Sequence, residues 1–149
     1  MCLIYDYETT KKFAASIKRR GGSIICYKRL RLVDGVLHSL CHNHKWHKGF
    51  NQSNRQDGVA LSRLERGTCR ISHGIHVYVK KPPRWCDFDE VIVPIKCSLR
   101  DFVGANHHAT FQARYWCPSK FDDNENEAVF MKVFLKAADY NAAVDTNPL

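Results

Sequence analysis

The chain has 149 residues and a mass of 17.2 kDa, which suits one hydrophobic core and is too short for two, so residues 1–149 are expected to form a single domain. Hydrophobic residues make up 44% and aromatics 11%, which excludes a wholly disordered chain, and no apolar run nears the roughly 18 residues a membrane helix needs. The net charge of +8 is lopsided: residues 1–75 hold 14 Lys and Arg against five acids, and residues 76–149 hold nine against ten, which excludes an acidic mimic of DNA and favours an anionic partner.

In chain order, residues 3–7 read as a short strand. Thr9 and Thr10 offer a cap for a helix over Lys11–Arg20, closed by Gly21-Gly22. Ser23–Val33 alternates, with Ile24, Cys26, Lys28, Leu30 and Leu32 on one side and Tyr27, Arg29 and Arg31 on the other, a long strand with one basic and aromatic face. Asp34-Gly35 then signals a hairpin into Val36–His38. Residues 41–58 are aperiodic and rich in Asn, Gly, His and Lys, and read as a long polar loop.

Cys69–Lys80 reads as one strand with Ile71, His73, Ile75, Val77 and Val79 on one face, ended by Lys-Lys-Pro-Pro-Arg-Trp. Val91–Cys97 is a further apolar strand, and Ser98 begins a capped helical turn. Thr110–Cys117 suits a strand and Pro118–Asn126 an acidic loop. Glu127–Leu135 is apolar at nearly every position, which predicts a central strand covered on both faces. Lys136–Val144 is Ala-rich enough for a closing helix, and 145–149 form a frayed tail. The sum is an α+β domain built on an antiparallel or mixed sheet of five to seven strands, with helices near both ends.

Seven cysteines, an odd number without a C-x-x-C pair, argue against a disulfide scaffold; Cys26 and Cys97 lie in apolar strand patterns and are expected to be buried thiols. The start Met1-Cys2-Leu3 has no basic leader before its first apolar residues, so a cytoplasmic location is expected and no membrane association. Cys41, His44 and His47 recur every three residues and offer three zinc ligands, with Cys69 or His73 as a fourth. Structural zinc sites bring paired ligands from two knuckles, and the second pair is missing, so a polar loop with histidines is the preferred reading and no cofactor is expected.

Three groups carry an enzymatic alternative. Removal of Met1 would leave Cys2 with its own α-amine as base, which resembles the start of N-terminal-cysteine glutamine amidotransferases, although those continue Cys-Gly where this chain reads Cys2-Leu3. Lys28 falls on an apolar stripe, where desolvation suits a nucleophile, and His73 or His76 would serve as base. The preferred reading is non-enzymatic. Basic and aromatic side chains interleave at Tyr27, Lys28, Arg29, Arg31, Lys45, Trp46, Arg55, Arg84 and Trp85, a mixture that binds phosphates and stacks on bases, so nucleic acid or a nucleotide is the expected ligand.

The segments Met1-Cys2-Leu3, Ile25-Cys26-Tyr27-Lys28, Gly74-Ile75-His76-Val77-Tyr78 and Glu127-Ala128-Val129-Phe130-Met131-Lys132-Val133 together resemble small proteins of bacteriophages and bacteria that have no assigned activity. The resemblance implies a phage or bacterial source, the host cytoplasm as location, and binding of a host factor or protein complex, as in counter-defence.

Overall fold

A computed structural model describes residues 3–40, 44–53, 61–63, 68–71, 74–82, 89–106 and 127–145, with 3–6, 61–63 and 68–71 described as backbone alone. Strand β1 (Leu3–Asp6) runs directly into helix α1 (Tyr7–Arg19). The helix starts earlier than the Thr9-Thr10 cap predicts because Thr10 has another use. Its hydroxyl donates to the Ala105 carbonyl (3.3 Å) and accepts from the Ala105 N–H (3.2 Å), satisfying backbone at the edge of the main sheet. Phe13 and Ile17, four residues apart, form the buried stripe of α1.

Strands β2 (Ser23–Val33) and β3 (Val36–Ser39) form the expected hairpin. Asp34 and Gly35 both have positive φ, 52° and 74°, the conformation that Asp-Gly supplies most readily. β4 (Gly49–Gln52) lies within the segment expected to be a loop. Asn51 is the reason: it is buried, and its side chain accepts from the His47 N–H and donates to the His47 carbonyl, both at 2.9 Å, so the polar chain folds back on itself before joining the sheet.

The single strand expected over 69–80 is instead β6 (Thr68–Ile71) and β7 (Ile75–Tyr78), which belong to different sheets. β5 (Leu61–Arg63), β6 and β1 make a three-stranded sheet in the order β1-β6-β5. β8 (Glu90–Ser98) leads through a 3-10 turn at Leu99–Asp101 into β9 (Phe102–Ala105). The run 127–135 is also two strands, β10 (Glu127–Phe130) and β11 (Lys132–Leu135), followed by α2 (Ala137–Val144). β10 is buried at all four positions, as expected, whereas β11 alternates between buried and half-exposed.

Among the described residues the main sheet has eight strands rather than five to seven, in the order β4-β11-β8-β2-β7-β10-β9 with β3 also on β2, and every pairing there is antiparallel. The surplus comes from the strands that split and from β4. Only Met131 separates β10 from β11, yet three strands lie between them in sheet order, so the sheet must roll until its ends meet. Two hydrogen bonds close the seam: Met131 N–H donates to the Asp101 carbonyl (2.7 Å), and Ser53 N–H donates to the Met131 carbonyl (2.8 Å).

The core fills the inner face of this roll. Ile24, Cys26 and Leu30 of β2 meet Val93, Ile95 and Cys97 of β8, Val133 and Leu135 of β11, and Phe130 of β10, with Phe13 and Ile17 of α1 and Ala143 of α2 packed in. Cys26 and Cys97 are free buried thiols, as their apolar surroundings suggest. Among the described residues no helix is long and apolar enough to cross a membrane.

Candidate functional site

The outward alternation of β2 is as expected, but its outer face is not uniformly open. Arg29 is 1% exposed, with Nε 3.6 Å from Oε1 of Glu90, itself 1% exposed, and its guanidinium lies 5.3 Å from the Tyr78 ring centroid. The expectation of Arg29 as a surface ligand contact is therefore corrected: the cation is neutralised inside the fold. Tyr27 is half-buried beside Tyr78. Arg31 is exposed and paired with Asp89 at 2.9 Å.

Lys28 is partly buried, and its ammonium donates to the His76 carbonyl at 2.7 Å. β2 and β7 share the single pair Tyr27–Tyr78, and the lysine takes up a carbonyl beyond it. Both ring nitrogens of His76 are shielded from solvent. Trp46 is 3% exposed and its indole N–H donates to the Ser39 hydroxyl at 2.9 Å, so this ring is core and not a stacking surface, the second correction to the expected ligand set. Lys45, His44 and His47 are exposed around it. No three His, Cys, Asp or Glu side chains converge among the described residues. Cys2, Cys41, Arg55, His73, Arg84 and Trp85, like the expected strand 110–117 and loop 118–126, lie outside the described residues, and Cys69 is described only as backbone of β6.

What the roll assembles in the open is a different set. One row crosses four strands on the outer face: Ile25 of β2 is paired with Lys96 of β8, Lys96 with Phe134 of β11, and Phe134 with Phe50 of β4. Ile25 is 47% and Phe50 58% exposed, and Lys96 is exposed between apolar neighbours. The Phe50 and Phe134 rings meet edge to face with centroids 5.0 Å apart, and Lys132 Nζ stands 4.3 Å over the Phe50 ring.

The row borders the seam, where Gln52, Arg100, Asp101, Phe102, Met131 and Lys132 line an open cavity of about 260 Å3. Leu99 N–H donates to the Gly22 carbonyl at 2.9 Å, which ties the C-terminal end of α1 to the 3-10 turn. Exposed Arg19, Arg20 and Arg100 thus stand at the same end of the sheet as Lys132. Asp101, 3.7 Å from Arg100 Nε, is the acid among the described residues there. The arrangement can hold an anion over an apolar and aromatic floor. Comparison with family models, curated proteins and solved structures gave no match to this chain.

Proposed function

We propose that this protein is a small basic binding protein that holds an anionic ligand, nucleic acid or a nucleotide, on the seam end of its rolled sheet, in the setting of phage or bacterial host factors. The observation that carries the reading is that Arg100 and Lys132 line one cavity, with exposed Arg19 and Arg20 at the end of α1 that is tied to the adjoining 3-10 turn and Lys96 on the neighbouring row. Cations held a few ångströms apart at a surface raise the local potential and draw in phosphates, and they release counterions when they do so. Of the groups the enzymatic alternative would use, Lys28 donates to a backbone carbonyl and the His76 ring is shielded, which supports binding over catalysis at these two residues.

Anisotropy of labelled DNA, offered both as a single strand and as a duplex, tests this. Affinity is expected to fall by at least an order of magnitude between about 50 and 200 mM salt. The double charge reversal Arg100→Glu with Lys132→Glu is expected to abolish binding, whereas reversal of Lys11 on α1 changes it little. Binding that ignores salt, or survives the double reversal, overturns the assignment.

A further inference from the structure

Resting on that reading, we infer that the row Ile25–Lys96–Phe134–Phe50 is a stacking platform for single-stranded nucleic acid. Three observations converge. Phe50 leaves more than half of its surface in solvent on a strand at the end of the sheet order, and Ile25 nearly half at the other end of the row, so a folded chain of this size displays an apolar floor across four strands. The floor is studded with cations at short range: Lys96 within the row, Lys132 over the Phe50 ring at 4.3 Å, and Arg100 across the seam cavity. Opposing charge is sparse among the described residues there: β4, β11 and β2 contain no Asp or Glu, β8 has only Glu90, buried at its far end against Arg29, and Asp101 at the seam lies 3.7 Å from Arg100.

An apolar row on an open sheet has two general occupants, a second copy of the chain or a ligand of complementary charge. Self-association would set Lys96 and Lys132 of each copy against those of the other, with no exposed acid on the four strands of the row to offset them, and like charges brought together oppose it. A nucleic-acid strand brings the opposite: bases with apolar faces for Phe50 and Phe134, and phosphates for the ammonium and guanidinium groups between and beside them. The platform selects unpaired bases, because in a duplex the base faces are already stacked on one another and only the backbone is on offer. In the free protein Lys132 occupies the face of Phe50 that a base would take; when a base stacks there, the long side chain moves aside to the adjoining phosphate, so one residue serves both states.

The test is anisotropy of labelled oligothymidylate with the full chain, run beside a duplex of matched length. The single strand is expected to bind tighter than the duplex. Phe50→Ala is expected to weaken it by roughly tenfold or more with the salt slope unchanged, as loss of one stacked base requires, and Phe50→Tyr to restore it. Phe50→Trp adds a direct readout, quenching of the new indole by bound bases. Phe50 is largely in solvent, so these variants keep the fold. If binding is salt-dependent but indifferent to Phe50→Ala, or if the duplex is preferred, the platform is overturned while the anionic reading stands. Absence of binding to either form overturns the platform and the nucleic-acid part of that reading together. A dimer by light scattering that Phe50→Ala dissolves assigns the row to a second copy and overturns the nucleic-acid occupant.

Discussion

At the scale of single residues, the most consequential event is the burial of Arg29 with Glu90. Alternation in the sequence puts Arg29 on the outer face of β2 and says nothing about whether that face is covered at that point. Glu90, the first residue of β8, was invisible as a partner because it is 61 positions away and only the register of β2 on β8 brings it diagonal to Arg29. A buried pair of this type is held by mutual neutralisation, and removing one charge leaves the other in a low-dielectric interior. Glu90→Gln is therefore expected to lower unfolding stability by about 3 kcal/mol or more, and the double variant Arg29→Met with Glu90→Leu by much less. Urea midpoints of the three proteins check this, and a double variant worse than the single would refute the account. By contrast the exposed pair Arg31–Asp89 contributes little, and Arg31→Ala should shift the midpoint barely at all.

At the scale of elements, the long alternating strands, the Asp-Gly hairpin and both helices were legible because each is a local pattern with a local cause. The split strands were not. Nothing in the period of 69–80 or 127–135 marks Gly74 or Met131 as a corner, since side-chain period reports a face and not which neighbour lies beside it. Gly74 carries the one clue, a glycine inside an otherwise alternating strand pattern. Its φ is 107°, and a Cβ built there would lie 2.6 Å from Cγ1 of Val129 on β10. Gly21, at φ 93°, has open space where its Cβ would go. Both Gly→Ala changes strain the backbone, so Gly21→Ala is expected to cost about 1 kcal/mol and Gly74→Ala distinctly more, the difference being the steric contact. Equal shifts in thermal midpoint for the two variants would show that the corner is not tightly packed against β10.

At the scale of the molecule, charge arithmetic points to an anionic partner and places the surplus cations in the first half of the chain. Dividing the chain into halves gave the second half a net charge near zero, yet that half supplies Lys96, Arg100 and Lys132, because Glu90 and Glu127 are withdrawn from the surface into the fold. Phe50 sat in a segment read as polar loop and Phe134 in one read as covered on both faces, so the row they form appears only once the sheet is rolled. Burial in the same roll makes one contribution to stability that is lost at alkaline pH. Cys97 lies in its core, where desolvation first, and then the hydrogen bond and charge of the neighbouring Cys26, push its thiol far above the ordinary value of 9.0. A thiol that stays protonated when folded but ionises when unfolded contributes its full stability below that value. Above it the unfolded chain releases a proton that the folded chain keeps, so stability falls as pH rises, by on the order of 1 kcal/mol over the first pH unit above 9.0. Urea unfolding of the wild type and of Cys97→Ala between pH 7 and 10 separates this contribution from the lysines and tyrosines that titrate in both proteins. The variant should start lower from the lost packing and show a shallower alkaline decline, so that the two curves converge as pH rises; parallel curves would mean that the Cys97 thiol ionises in the folded protein and that the inner face of the roll admits water.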